Sequence, residues 1–274
     1  MREQHGYLHL AGRPLHAGLC LPDHDHPETV LVLCEPFGEE KRCAFRMFVR
    51  LAWQLAELGI ATLRFDLSGT GDSGGDHAEA TWQQWQDETA AALQAAPALS
   101  GARQTAILGA RAGALLAAPA AASSSTAAVI LLEPILTGDD MVADLERRQK
   151  IKELMTGAAS PGPEPPAGMT AEHDFGGFAV SGALLQQARQ VDLTASLTTA
   201  APVHVLRVSG AKKFPLSWQP LLDRSRASSG SAAIIADKPF WGQLEYYESP
   251  LVNDAIADLL TGRHDHSKPP TALS

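Results

Sequence analysis

Thr105-Ala106-Ile107-Leu108-Gly109-Ala110-Arg111-Ala112-Gly113-Ala114-Leu115-Leu116-Ala117 is the stretch that decides the fold. An apolar run ends in Gly-x-Arg-x-Gly and passes at once into an Ala/Leu-rich segment. Strand, sharp turn, helix is the grammar of the nucleophile elbow, commonly Gly-x-Ser-x-Gly. There the central residue sits on a strained turn, and the flanking glycines let strand and helix backbones crowd together. Here the central residue is Arg111. A guanidinium is always protonated and is no nucleophile. The stretch therefore says more about fold than about chemistry.

Working outward, the same rhythm continues on both sides. Residues 5–21 alternate loosely around Gly12-Arg13-Pro14 and predict an antiparallel hairpin. Thr29–Cys34 (TVLVLC) is a continuous apolar, β-branched run, as expected of a parallel strand covered on both faces. The turn Glu35-Pro36-Phe37-Gly38 follows, then a helical period over 41–58 stopped by Gly59. Residues 60–67 read as a strand, leading into Ser68-Gly69-Thr70-Gly71-Asp72-Ser73-Gly74-Gly75. Thr81 caps a helix whose inner face is Trp82, Trp85, Thr89, Leu93 and Ala96. After the elbow come a serine loop and the strand Ala128–Leu132. This alternation predicts a doubly wound, mostly parallel sheet.

The rhythm breaks at 137. Residues 139–155 predict a charged amphipathic helix, 160–166 are Pro/Gly-rich, and Ser181 caps a further helix after a short extended piece. Sheet grammar resumes at Val203–Val208 and 232–236, and 250–261 predicts a last helix with Leu251, Ala255, Ile256, Leu259 and Leu260 inward. The expectation is one domain over 1–262, with a helical lid insertion at about 137–200 and a flexible tail at 263–274.

Composition narrows the partners. The chain has 274 residues, 45% hydrophobic and 19% charged, which is long enough for one large core. Its net charge of −9 and the lack of a basic stripe argue against nucleic acid. No stretch is long and apolar enough for a membrane span, and the first twenty residues hold no secretory h-region. Three unpatterned cysteines, Cys20, Cys34 and Cys43, suit a reducing cytoplasm as buried structural thiols. No spacing implies a metal or cofactor; His264-Asp265-His266 lies in the expected tail, which cannot hold ligand geometry.

With Asp66-x-x-Gly69-x-Gly71-x-Ser73 and the elbow in hand, the chain resembles the α/β-hydrolase superfamily over about 5–260. More closely, it resembles the second of two hydrolase families associated with the exosortase A system of bacterial exopolysaccharide and protein-sorting loci. The carrying residues are Glu35-Pro36-Phe37-Gly38-Glu39-Glu40, residues 64–73 (RFDLSGTGDS), residues 109–114 (GARAGA) and Lys238-Pro239-Phe240-Trp241. An arginine at the elbow is usual in that family. The resemblance implies the α/β-hydrolase fold, an acyl or ester substrate, and a partner protein of the exopolysaccharide system.

The triad that the superfamily implies is missing at each position. Arg111 holds the nucleophile's place. The acid's place, 209–214, offers lysines and no carboxylate, and the base's place, 237–241, has no histidine. His204 reads as a core histidine, while His77 and His173 are better placed but read as loop residues. Cys34 would lack a neighbouring base, and Ser73 reads as a turn residue bonding its own backbone.

An arginine at a helix N-terminus opposes the helix dipole by ~0.3–1 kcal/mol, and leaving it unpaired in a cleft costs several kcal/mol more. Something negative should face it. The candidates at that sheet edge are Glu35, Glu133 and Glu245, bonded bidentately. Two readings follow: an ion-pair plug replacing the nucleophile, or a pocket for a small anionic or acyl ligand. The pocket would be built from Arg111, Glu35, Phe37, Gly38, Glu133, Trp241 and Glu245. A non-catalytic or repurposed binding protein is the main expectation. An active ester hydrolase with an unusual catalytic arrangement is the alternative.

Overall fold

The structure is a computed structural model and describes residues 1–24, 26–156, 173–175, 178–242 and 246–263. The chain opens with the hairpin β1 (Arg2–Leu10) and β2 (Arg13–Leu21), turned at Ala11-Gly12. It continues through β3 (Thr29–Cys34), α1 (Gly38–Glu57), β4 (Ala61–Phe65) and α2 (Trp82–Ser100). The elbow region follows as β5 (Gln104–Ala110), α3 (Ala114–Ala122) and β6 (Ala128–Leu132). Between β6 and the next sheet strand lie α4 (Gly138–Thr156), the two-residue strands β7 (His173–Asp174) and β8 (Ala179–Val180), α5 (Gly182–Arg189) and α6 (Leu193–Ser196). The chain then runs through β9 (Val203–Val208), α7 (Gln219–Ala227), β10 (Ala232–Ile235) and α8 (Pro250–Thr261).

Eight strands form one sheet in the order β1-β2-β4-β3-β5-β6-β9-β10, antiparallel at the first two joins and parallel from β4 onward. Side chains alternate across a strand. Accordingly, Val30 and Val32 meet α2 and α3 on one face, while Leu31 and Leu33 meet α1 and α8 on the other. This is why Val30–Cys34 has no polar position. The α2 face expected from sequence is inward throughout: Trp82, Trp85, Thr89, Leu93 and Ala96 are buried. Thr81 and Ser181 both cap their helices. The three cysteines are free and buried.

The last helix needs a correction. Ile256 is buried and Ala255, Leu259 and Leu260 pack partly buried against the core as expected, but Leu251 is 53% exposed, and Val252, Asn253 and Ala257 are the buried neighbours of Ile256. Ser249 caps α8 and Pro250 occupies its first turn, which turns Leu251 outward and seats Val252 in the core. The Pro/Gly stretch 160–166 and His264-Asp265-His266 lie outside the described residues.

Candidate functional site

The elbow is present as a backbone object. Arg111 has φ +52°, a left-handed conformation that costs a non-glycine residue about 1–2 kcal/mol. Crowding explains it. A Cβ on Gly109 would lie 2.6 Å from Ala114 Cα, and one on Gly113 would lie 2.1 Å from the Cys34 carbonyl oxygen. Only glycines let β5, the start of α3 and the end of β3 approach this closely.

Arg111 has a negative partner, but not one of those expected from sequence. Its Nε donates to both carboxylate oxygens of Glu40, at 3.0 and 3.2 Å, rather than making a bidentate fork. Its Nη1 donates to the Glu133 main-chain carbonyl at 3.3 Å, and Nη2 lies 3.9 Å from Asp144. Arg148 completes a ring of alternating charge, with Nη2 2.5 Å from Glu40 and Nε 2.7 Å from Asp144. Arg147 also donates to Asp144. Burial pushes the Asp144 carboxyl up, but the Arg147 hydrogen bond and the charges of Arg148 and Arg111 outweigh it and hold the group below the ordinary range. The Trp241 ring lies 5.9 Å from the Arg111 guanidinium carbon, on the loop where the base would stand. The mouth above the elbow is therefore filled by a cluster that ties α1 and α4 to the turn between β5 and α3.

The other expected residues divide between this cluster and a cavity. Glu133 does not pair with Arg111 through its carboxylate, which instead accepts from the Val208 N–H at 2.6 Å and closes the end of β9. Burial raises its pKa, against that hydrogen bond and the pull of Arg111. Glu35 is bound to Arg64 Nε at 2.8 Å and sits 3.6 Å from Lys41, away from Arg111. Glu245 lies outside the described residues. Glu35, Phe37 and Gly38 line a cavity of about 640 Å³ that also touches Ala112 and Gly113. Arg111, Glu133 and Trp241 are not in its lining.

The cavity is mostly apolar. His77 lies within 6.2 Å of the rings of Phe37, Trp85 and Phe178, and burial lowers its pKa against the pull of Asp76. One wall is polar. Lys41 Nζ is 2.5 Å from Asp66 Oδ1, and His16 lies 3.4 Å from Asp66 Oδ2. Burial raises the Asp66 pKa, but Lys41 and the Asp72 N–H more than offset it and hold the carboxyl low. His16, Asp66 and Asp72 could between them offer a cation three ligand atoms, with the Lys41 ammonium already on one Asp66 oxygen.

Phe37, the N-cap of α1, and Ala112, in the turn before α3, carry N–H groups without an intrahelical acceptor, the type of donor that holds an oxyanion. Among the described residues, the thiol and hydroxyls nearest the cavity are deeply buried or hydrogen-bonded. Cys34 faces a pKa pushed far up by burial and by Glu35. Thr70 and Thr89 donate to the Leu67 and Trp85 carbonyls, and the Ser68 hydroxyl is buried against Gln84. Ser73 bonds the Asp66 carbonyl, as its turn role predicts, and His204 bonds Ser231. His173 is exposed in β7.

Glu40, Asp144 and Arg148 are the site residues that sequence reasoning missed. Glu40 carried a readable signal. It lies three, four and seven residues before Cys43, Ala44 and Met47, on the buried stripe of α1. A carboxylate on an apolar stripe implies a buried cation.

The fold has many solved counterparts. The Est1E protein of Butyrivibrio proteoclasticus is 18% identical, with 94% of this chain and 98% of that one covered at a TM-score of 0.63. A proline iminopeptidase of Mycobacterium smegmatis is 15% identical, with 94% and 98% covered at 0.58. A serine hydrolase without lid from Xanthomonas campestris, XC6422, is 18% identical, with 96% and 94% covered at 0.53. At these identities the likeness is one of fold. No curated protein sequence matches the chain. No helix among the described residues is long and apolar enough to cross a membrane. Residues 25–171, more than half of the chain and including the elbow, match the family described as serine aminopeptidase, S33, and the chain belongs to that family.

Proposed function

We propose that this chain is a non-catalytic member of its family that binds a small acyl or aromatic ligand in the cavity beside the elbow. One observation carries the reading: the apex of the elbow is Arg111, paired with Glu40, while the cavity next to it is left open. The apolar walls suit an acyl chain or an aromatic ring. Est1E of B. proteoclasticus has been solved with ferulic acid bound, which makes an aromatic acid or its ester a reasonable ligand class to test here. In this reading α4 serves as a lid fastened to the elbow through Asp144 and Arg148, within the single domain 1–262. The motifs of Glu35-Pro36-Phe37-Gly38 and Lys238-Pro239-Phe240-Trp241 support placing the protein with the exosortase A-associated hydrolases. Its setting would then be the cytoplasm, beside a partner protein of the exopolysaccharide system.

Family membership favours the second reading, an active ester or acyl hydrolase with an unusual arrangement. A fluorophosphonate probe and p-nitrophenyl butyrate separate the two. Absence of labelling and of turnover is the expected result. Stoichiometric labelling of a serine would overturn the binding reading.

A further inference from the structure

The charges in the cavity wall are already matched. Arg64 and Lys41 meet Glu35, and Lys41 also meets Asp66. Glu35 Oε2, both His77 nitrogens and Trp82 Nε1 have no hydrogen bond among the described residues, but they are enclosed in the wall and present almost no surface to an incoming molecule. Arg111 is paired with Glu40 outside the lining. Selection by charge therefore falls to the mouth, where polar side chains reach solvent.

Arg42 stands apart there. Helix α1 carries four basic residues, Lys41, Arg42, Arg46 and Arg50. Lys41 has Asp66, and Arg46 and Arg50 share Glu248. Arg42 is exposed, lines the cavity and has no ion pair or hydrogen bond among the described residues. Two rings share the lining with it: Phe45, one turn further along α1 and 45% exposed, and Tyr246, 60% exposed. Large rings left open to water beside an apolar cavity offer cover to a ligand that projects from it. Asp72, the exposed carboxylate of the lining, is grouped with His16 and Asp66 and makes no ion pair with Arg42.

A guanidinium is planar and matches a carboxylate with two parallel N–H bonds. We propose that Arg42 is a specificity residue of the cavity: it holds the carboxylate of an acyl or aromatic acid at the mouth, while the apolar body of the acid lies inward against Phe37, Trp85 and Phe178. The proposal rests on the proposed binding role of this cavity and adds the charge and orientation of the ligand.

Calorimetry on the full chain with 4-butylbenzoate and its neutral isostere 4-butylbenzamide tests it. An arginine–carboxylate pair at a partly exposed mouth gives the benzoate an affinity about three- to ten-fold above that of the benzamide, and the advantage shrinks as salt is raised. In Arg42→Gln the advantage disappears while benzamide binding is unchanged, and in Arg42→Glu the benzoate becomes the weaker of the two. Arg42 is exposed, so both variants keep the fold, which thermal unfolding checks. Equal binding of the two probes by the native chain, or a benzoate preference that survives in Arg42→Gln, overturns the Arg42 assignment and leaves the cavity as a binding site. Absence of binding by both probes overturns both readings.

Discussion

Replacing Arg111 by alanine tests whether the elbow cluster is a structural plug. The side chain is 17% exposed and its partner Glu40 9%, so both charges are largely out of water. Removing one member of a buried pair costs about 3–5 kcal/mol, because the other charge is left uncompensated. Here Arg148 stays 2.5 Å from Glu40 and keeps part of that compensation. The expected loss is therefore about 2–3 kcal/mol, below the full range. Alanine recovers none of the backbone strain, since it too must adopt φ +52°, whereas glycine should return about 1 kcal/mol. At ~2–4 °C per kcal/mol for a chain of this size or slightly smaller, Arg111→Ala lowers Tm by about 4–12 °C. Urea denaturation followed by tryptophan fluorescence reads the difference. A double-mutant cycle with Glu40→Gln should show coupling of about 1 kcal/mol or more, as for groups sharing one ion-pair network. A single mutant within 0.5 kcal/mol of wild type and an additive cycle would refute the plug.

Restoring the family's nucleophile alone should restore nothing: Arg111→Ser is expected to turn over p-nitrophenyl acetate no faster than the native chain, because 237–241 supply no histidine. A burst of p-nitrophenol would contradict this. His77 resists protonation when folded, since burial lowers its pKa below the ordinary 6.5. The unfolded chain therefore binds the extra proton between the folded value and 6.5, and His77 contributes stability above that window that is lost as pH falls through it. In His77→Phe that part of the acid sensitivity should disappear from Tm measured across pH 7 to 5, and an unchanged slope would count against a buried neutral imidazole. Gly113→Ala places a Cβ 2.1 Å from a backbone carbonyl that cannot move away as a side chain could. A loss of about 3 kcal/mol or more, or failure to fold, is expected from thermal unfolding.

Much of the scaffold could be read from residue patterns because its elements are buried on defined faces. Val30–Cys34 and Ala106–Gly109 have no polar position, and the two glycines mark a backbone approach that no other residue allows. The site was less legible, for a physical reason. Pairing partners in a sheet fold come from elements far apart in sequence: Glu40 and Arg111 are separated by 71 residues, and Arg148 and Glu40 by 108. The need for a negative partner followed from the arginine itself, but which carboxylate answered depended on how α1 enters the sheet edge. Starting that helix at 41 hid Glu40 in a turn, whereas α1 begins at Gly38 and puts it on the inner stripe. The unpartnered nitrogens of His77 had no signal in sequence, since loop placement and burial are indistinguishable there.

The bend between β5 and α3 has a wider consequence. Its shape is dictated by main-chain proximity at Gly109 and Gly113, and the side chain at the apex plays no part in enforcing it. Any residue other than glycine at 111 bears the same torsional tax, whether it reacts, pairs or does nothing. A descendant could thus exchange a reactive oxygen for a cation in one replacement and keep every strand in register. The bend is set independently of the chemistry at its apex.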